Sequence, residues 1–508
     1  MSSPGRPASL QRALDRVERI GNALPHPATL FLLLCAGVAG LSWLADAGQL
    51  SAVNPVSGEP VRAFNLISGE GLRRLIMDIV PNFMNFAPLG PVLVCLLGLS
   101  VAEQSGLLGA VVRLVVGVAP RRWLTFMVVF CGAMSHSAGD VGYVLLIPLS
   151  ATLFHAVGRH PLAGIAAAFA GVSGGFAANL LLSPTDVVLA GLTQEAALAL
   201  APAYAVSPMA NYYFLALSVV LITAVGTLVT DRVVEPRLGP YRGDVPAEPL
   251  VPLSATERRS LVWAGLAVLL LVALVLAGLL PTSGFLQDPA KPGFIGSYFV
   301  RGLTFFIFLF GLAPGLAYGL AAGTIRGDAA VYRGMQKNME LVAGYLVLVF
   351  FIAQFVNLFN GSNLGVLFAI KGAAALKTLA LGPVPLLVGL ILLTATVDMF
   401  LGSAAAKWAI LSPVFVPMFM LLGYSPELTQ VTYRVGDSIT NIITPLSSNF
   451  PLVLMFVQRY LPKAGIGTIT AAMLPYSAVN LVCWTMMLVA WLLLGWPLGP
   501  GAPLFYPH

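Results

Sequence analysis

Ten charged side chains lie in or beside long apolar runs of this 508-residue chain. A charge at membrane depth is costly, so each of these residues is a candidate for binding a substrate or an ion. Carboxylates there would hold cations or protons, and arginine or lysine would hold anions. The ten are Glu103, Asp140, Asp186, Arg301, Lys371, Lys377, Asp398, Lys407, Arg434 and Asp437.

Arg434 and Asp437 are three residues apart, and on a helix that spacing makes them neighbours. One reading is a mutual ion pair that neutralises both charges in lipid. The other is that Arg434 binds a substrate carboxylate through its two-pronged guanidinium, while Asp437 binds a cation or a proton. An ion pair that opens when substrate arrives would satisfy both readings.

Asp186 follows Pro184 at the end of a polar stretch, where it either caps a helix beginning at 187 or contributes to a site. Trp408 either stacks on an aromatic ring or marks the membrane interface. The hydroxyl and amide side chains nearby either coordinate Na⁺ or hydrogen-bond between helices. They are Asn179, Ser183, Ser403, Ser438, Thr440, Asn441, Thr444 and Ser447.

The composition is that of a membrane protein, because 58% of residues are hydrophobic and only 9% are charged. Soluble proteins carry about 25% charged residues. Several apolar runs approach the ~20 residues that span a bilayer. They cover residues 28–46, 86–102, 209–230, 260–280, 298–322, 339–356, 383–401 and 470–495. The sequence therefore predicts an all-α polytopic membrane protein.

The net charge of +6 reflects membrane topology rather than nucleic-acid binding. Arginine and lysine concentrate at the N-terminus and in the proline-rich stretch 231–259, which predicts that both are cytoplasmic. Within the predicted cytoplasmic segment 1–27, residues 8–20 carry an amphipathic pattern that fits either a helix lying on the membrane surface or a solvated N-terminal helix. The four cysteines have no metal-type spacing, and no metal or cofactor is predicted beyond Na⁺ or H⁺ as a coupling ion.

An internal repeat relates the two sides of the 231–259 linker at an offset of 265 residues. Seven residues of 146–173 recur at that offset: Leu146, Pro148, Phe154, Gly158, Pro161, Gly171 and Ser173. Each copy contains a polar-tipped apolar segment, predicted to form a re-entrant hairpin, and then a span interrupted by small and polar residues. Paired interrupted segments indicate the midplane site of a secondary transporter.

The predicted organisation has two membrane halves, 28–230 and 260–497, followed by a tail at 498–508. Hairpin 1 is expected at about 123–155 and the first broken helix at about 161–186. Hairpin 2 is expected at about 385–423 and the second broken helix at about 427–458. Polar residues at the breaks and tips, including Asp140, would line the site.

A serine hydrolase and a channel are the two alternatives to a transporter. The stretch 171–175 reads G-x-S-x-G, but no histidine follows Ser173 until His508, so a serine hydrolase is not predicted. A channel pore needs rings of like groups. The copies instead differ, with Asp140 opposite Ala405 and Val172 opposite Asp437, and that asymmetry favours one solute with coupling ions.

Three stretches resemble the AbgT family of aminobenzoyl-glutamate transporters. They are "GSAAAKWAILSPVFVPMFMLLGYSPELTQVTYRVGDSITNIITPL" (402–446), "SHSAGDVGYVLLIPL" (135–149) and "GVSGGFAANLLL" (171–182). The resemblance implies an inverted-repeat secondary transporter of the ion-transporter type, with about nine membrane helices, two re-entrant hairpins, and separate scaffold and transport domains. It also implies a homodimer in the bacterial inner membrane.

The family's site residues, carried over by position, are Asp186, Trp408, Arg434, Asp437 and Pro445. Ser403 and Asn179 complete the predicted substrate contacts, and Asp140, Ser438, Thr440 and Asn441 join Asp437 as predicted ion-coupling residues. This chain has Ala405 where the family usually has a second serine, and "SPTDVV" around Asp186 where the family usually has a glycine-threonine stretch.

The resemblance implies two activities that the sequence leaves open. Family members take up p-aminobenzoyl-glutamate, an aromatic anion, or export sulfonamide antimetabolites, in each case driven by a cation or proton gradient. The expected partners are therefore a small aromatic anion and membrane lipid.

Overall fold

A computed structural model describes residues 27–506, except 54, 56–57, 118–119, 136–141, 247–252, 282, 292, 445–446 and 448. The predicted surface helix before residue 27 and the predicted site residues Asp140 and Pro445 lie outside these ranges. Within them the chain is almost entirely helical. Eight of the described helices are long and apolar enough to cross a membrane. The all-α polytopic prediction is confirmed, and the count of nine membrane helices remains a prediction.

The described residues up to Leu238 form ten α-helices and one β-hairpin. The helices are α1 (Pro27–Ala47), α2 (Gly69–Met84), α3 (Leu89–Gln104), α4 (Leu107–Gly117), α5 (Leu124–Met134), α6 (Ile147–Ala156), α7 (Pro161–Val172), α8 (Pro184–Leu198), α9 (Tyr212–Val229) and α10 (Glu235–Leu238). The hairpin pairs β1 (Ser51–Val53) antiparallel with β2 (Pro60–Arg62).

The second half contains ten more helices. They are α11 (Ala255–Leu279), α12 (Tyr298–Arg301), α13 (Leu303–Ala322), α14 (Asp328–Gly361), α15 (Leu364–Thr378), α16 (Pro383–Asp398), α17 (Ala404–Leu421), α18 (Pro426–Thr440), α19 (Phe450–Tyr460) and α20 (Ile466–Leu494).

The 265-residue repeat is visible in the helix boundaries. Pro161 begins α7 and Pro426 begins α18, while Ala156 ends α6 and Leu421 ends α17. Proline is favoured at the first helical position because its missing N–H is not needed there. In each copy one helix ends, the chain runs without regular helix for roughly ten residues, and a new helix begins. The two broken helices are thus α7 with α8, and α18 with α19.

The last helix of the first half, α9, extends further than the polar composition of 231–259 suggests. A π-turn at Thr230–Val234 continues α9 into α10, so the polar linker starts only after Leu238. Arg159 holds this extension, because its guanidinium pairs with Asp231 at 2.6 Å and with Glu235. The linker ends where Ser254 caps α11.

The broken helices are held at the centre of the protein by close backbone contacts. A Cβ on Gly171 would lie 2.4 Å from the carbonyl oxygen of Val129, and a Cβ on Gly436 would lie 2.6 Å from that of Ile391. The two glycines occupy equivalent positions of the repeat, so each copy depends on the same approach of a broken helix to its hairpin. Every residue of α18 is buried.

We predict that Gly171→Ala and Gly436→Ala each lower the thermal unfolding midpoint in detergent. Each added methyl group would meet a backbone carbonyl that cannot move alone, and overpacking of this kind typically costs about 1–3 kcal/mol. Gly344→Ala on α14 is the matched control, because its Cβ would have nothing within 4 Å. Midpoints that match this control in both variants would contradict the proposed close packing.

Candidate functional site

A cavity of about 500 Å³ lies between the first break, the tip of the second hairpin and the helices α1, α3 and α14. Among the described residues, its wall carries three hydroxyl side chains and no charged side chain. It is lined by Pro27, Val92, Phe176, Pro184, Thr185, Val188, Tyr345, Leu401, Gly402, Ser403, Ala404 and Ala405. The volume is in the range of small-molecule sites.

Two helices begin at this cavity. The first residues of α8 and of α17 form part of its wall, and Ser403 caps α17 by accepting a hydrogen bond from the Ala406 N–H at 3.4 Å. A helix N-terminus presents unsatisfied N–H groups and a partial positive charge. The cavity therefore suits an anion although none of the described residues that line it is cationic.

Arg434 lies behind the cavity wall and pairs with Asp186. The guanidinium Nη2 is 2.6 Å from Asp186 Oδ1, and both side chains are at most 3% exposed. The second carboxylate oxygen accepts hydrogen bonds from the Ser183 N–H at 2.7 Å, the Ser183 hydroxyl at 2.8 Å and the Asn179 amide at 3.1 Å. The pair ties α18 of the second repeat to the start of α8 in the first.

This geometry corrects two sequence readings. Arg434 pairs with Asp186 rather than with its helical neighbour Asp437, because the interior brings a fully buried carboxylate from the other repeat within reach. The helix after the first break begins at Pro184 rather than at 187, so Asp186 does not occupy the cap position. It lies in the first turn and binds back to the capping residue Ser183.

Lys407 lies between two other carboxylates. Its ammonium is 2.5 Å from Asp437 Oδ1 and also bonds Asp398, and all three side chains are at most 2% exposed. Asn441 donates to the Asp437 carboxylate at 3.3 Å, and the Tyr433 hydroxyl lies 3.2 Å from the same carboxylate. Charges this deeply buried are retained only when they are paired and hydrogen-bonded.

The charges of these five buried side chains do not sum to zero. Asp186, Asp398 and Asp437 carry three negative charges, whereas Lys407 and Arg434 carry two positive charges. With all five ionised, the cluster has one net negative charge. A buried excess charge of this kind is a place where a monovalent cation or a proton can bind.

Trp408 is fully buried and does not line the cavity. Its indole N–H donates to the Thr193 hydroxyl at 2.9 Å, and its ring stacks on Tyr433 with centroids 4.4 Å apart. The Tyr433 hydroxyl donates in turn to the Ala404 carbonyl at the cavity wall, at 2.6 Å. Trp408 therefore supports the hairpin tip in this structure, and direct stacking on a substrate remains a prediction.

The other predicted polar residues divide into two groups. Asn179 and Asn441 bind the buried carboxylates, and Ser403 lines the cavity. Ser438 instead accepts a hydrogen bond from the Ala177 N–H, and Thr440 bonds a carbonyl one turn back in its own helix. Both side chains thus bond backbone in this structure, and their role in ion coupling remains a prediction.

Three residues at the site are not among the predicted site residues. From the sequence, Lys407 and Asp398 are identified only as intramembrane charges. The position of Lys407 beside Trp408 is the one sequence feature that indicates a place in the site. No sequence feature indicates that Tyr345 on α14 belongs to the site, because tyrosine is common in apolar helices. Its hydroxyl is buried at the cavity and has no hydrogen-bond partner among the described residues.

The opposite end of α18 is also anchored to the first repeat. The Tyr204 hydroxyl donates to Glu427 Oε2 at 2.9 Å, and the Asn211 amide donates to the Glu427 carbonyl. Burial, reinforced by the adjacent Glu427, raises the pKa of Tyr204 above its usual value, so the phenol keeps the proton that it donates. Both ends of α18 are thus held against the segment 184–211.

Comparisons with known proteins identify the relatives of this fold and site. A family model described as "AbgT putative transporter family" matches residues 12–506. The p-aminobenzoyl-glutamate transport protein of Escherichia coli (strain K12) is 42% identical over 510 residues, covering 100% of both chains.

Two solved transporter structures superpose closely. The YdaH transporter of Alcanivorax borkumensis has a TM-score of 0.87 and 46% identity, covering 94% of this chain and 100% of its own. MtrF of Neisseria gonorrhoeae, described within a class of antimetabolite efflux pumps, has a TM-score of 0.90 and 44% identity, covering 96% and 100%.

The fold and these relatives together identify the class and the family of the protein. A helical membrane protein with paired broken helices and a cavity at the first of the two breaks is a multi-pass membrane transporter. The match over nearly the whole chain then shows that it belongs to the AbgT family, which confirms the family resemblance of the three sequence stretches.

We predict that Arg434→Ala destabilises the protein strongly, by about 3–5 kcal/mol, because it leaves Asp186 charged, buried and without its cation. The double variant Asp186→Ala, Arg434→Ala should lose less than the single variant, since no uncompensated charge remains. Thermal unfolding in detergent measures both.

Arg74→Ala is the control, because Arg74 pairs with Glu70 on the surface and exposed pairs contribute little. Additive effects of the two single substitutions in the double variant would show that the Arg434–Asp186 pair does not exist in solution.

Proposed function

We propose that this protein is a secondary active transporter of p-aminobenzoyl-glutamate and related aromatic folate catabolites. The observation that carries the proposal is its 42% identity, over the full length of both chains, to a p-aminobenzoyl-glutamate transport protein. The cavity supports it chemically, because it combines apolar surface with helix N-termini and hydroxyl groups.

The two parts of such a substrate match different parts of the wall. Carboxylates suit the N-termini of α8 and α17, where Ser403 and Thr185 add hydroxyl groups. The aminobenzoyl ring suits the apolar surface of Val92, Phe176 and Val188. Arg434 would bind a carboxylate through its Nη2 only after leaving Asp186, because that nitrogen pairs with Asp186 in this arrangement.

Coupling to a cation gradient follows from the charge of the buried cluster. One net negative charge remains after Lys407 and Arg434 have paired, and it disfavours movement through the membrane until a Na⁺ or a proton neutralises it. Asp437 is the proposed coupling residue, assisted by Asn441. Asp140 and Pro445 remain proposed participants outside the described residues.

A second candidate activity is the export of sulfonamide antimetabolites. It is supported by the 44% identity and close superposition with MtrF, which is described within a class of antimetabolite efflux pumps. Sulfonamides share the aniline ring of p-aminobenzoyl-glutamate but lack its dicarboxylate, so the same apolar surface could hold them. The direction of movement would depend on the imposed gradients, because alternating access is reversible.

The proposed setting is a homodimer in the bacterial inner membrane with a cytoplasmic N-terminus. The concentration of arginine in 231–259 supports the orientation. Only 17% of the apolar window in α11 is buried within the chain, so lipid or a second copy must cover the remainder. The homodimer itself rests on the family resemblance.

We predict gradient-dependent uptake of p-aminobenzoyl-glutamate into proteoliposomes containing the purified protein. Ser403→Ala and Tyr345→Phe should each raise KM by about tenfold with little change in maximal rate, because each removes a hydroxyl from the cavity wall. Initial rates measured separately under Na⁺ and pH gradients provide both the activity and its coupling ion.

Tyr332→Phe is the matched control on the same helix, since Tyr332 is 69% exposed and does not line the cavity. Absence of uptake together with movement of a sulfonamide would select the second activity. Flux of both compounds without any gradient dependence would reject secondary transport and favour a channel.

We predict that Asp437→Asn and Asp398→Asn each weaken or remove the dependence of uptake on the cation gradient. Either substitution lowers the formal charge of the cluster from one negative to zero, so no further cation is needed for neutrality. The measurement is uptake with and without each gradient. An unchanged dependence on both Na⁺ and pH would exclude the two carboxylates from coupling.

A further inference from the structure

The ammonium of Lys407 occupies a position with the features of a cation-binding site. Asp398 is the last residue of α16, Asp437 lies in the last turn of α18, and both carboxylates converge on an amine in the first turn of α17. The Lys407 ammonium lies 2.5 Å from Asp437 Oδ1 and bonds Asp398 Oδ1, and the three side chains are shielded from solvent.

Hydrogen bonds hold in place the two carboxylates that contact this ammonium. The Thr444 hydroxyl donates to Asp398 Oδ2 at 3.2 Å, and Asn441 donates to Asp437 Oδ2. The Tyr433 hydroxyl, which donates to the Ala404 carbonyl, lies 3.2 Å from Asp437 Oδ1, the same oxygen that contacts Lys407. Carboxylate, hydroxyl and amide oxygens near a break in a membrane helix are ligands that hard monovalent and divalent cations prefer.

We propose that Lys407 is a tethered cation, which fills the place between Asp398 and Asp437 that a Na⁺ would otherwise occupy. The inference rests on the proposed transport function and specifies how its coupling site works. While the ammonium is in place, Na⁺ cannot bind between the two carboxylates, so the charge that neutralises the cluster is added as a proton or bound elsewhere.

The position of Lys407 also connects this site to the cavity. Ala404 and Ala405 line the cavity, and Lys407 follows them in the same helical turn. A substrate that shifts the start of α17 would therefore shift the ammonium relative to its carboxylates. Arg434 does not compete for them in this structure, because it is paired with Asp186.

The test is a thermal-shift titration of purified protein with NaCl against choline chloride at constant ionic strength. The wild-type midpoint should be the same in the two salts. Lys407→Met opens the position between the carboxylates, and its midpoint should rise saturably with Na⁺ alone, by about 3 °C. Lys407→Arg, which keeps the charge, should show no Na⁺-specific rise.

Two double variants keep the proposal falsifiable if Lys407→Met folds poorly. Asp398→Asn, Lys407→Met and Asp437→Asn, Lys407→Met preserve the formal charge of the cluster but remove one carboxylate, and each should lose most of the Na⁺-specific rise. Lys407→Gln, whose amide fills part of the space, should show a smaller Na⁺-specific rise than Lys407→Met.

A Na⁺-specific rise in the wild-type protein that Asp437→Asn abolishes would overturn the proposal. So would equal responses of Lys407→Met and Lys407→Gln to sodium and choline. The assay contains no substrate, so its outcome is independent of whether the wild-type protein moves p-aminobenzoyl-glutamate. Uptake by the wild-type protein decides that separate question.

Discussion

The central constraint on this structure is the pairing of five buried charges within a protein surrounded by lipid. No carboxylate of the cluster could remain ionised there without a cation in contact, because the loss of hydration is too costly. Asp186 on α8 must therefore reach Arg434 on α18, and Lys407 on α17 must reach the ends of α16 and α18. These contacts specify which helices lie side by side at the breaks.

The internal repeat supplies the backbone for this arrangement but not its chemistry. Pro161 and Pro426 begin equivalent helices, and Gly171 and Gly436 permit equivalent close approaches. At the charged positions the two copies differ, since the residues opposite Arg434, Asp437 and Asp186 are Phe169, Val172 and Pro451. A symmetric framework thus carries an asymmetric site, as is expected for one solute bound with a coupling ion.

The sequence predicts those features of the fold that residues determine at their own positions. Prolines, glycines and interrupted apolar runs indicated the hairpins and the broken helices, because they act on the backbone at their own positions. The partners of the charges depend on tertiary packing instead. Arg434 and Asp437 are helical neighbours, yet each pairs with a residue from another helix, because the folded interior offers a closer partner. Likewise, nothing local to Tyr345 indicates that α14 faces the cavity.

The proposed solute-binding wall and the buried charged side chains are separate, yet both lie at the N-termini of the same two helices. The N-termini of α8 and α17 form part of an uncharged cavity wall, and each helix carries one member of the buried cluster in its first turn, Asp186 and Lys407 respectively. A helical turn is stiff, so its cavity-facing residues and its buried charge move together. Binding at the proposed site on this wall would therefore act on the ion pairs without contact between the solute and a charged side chain.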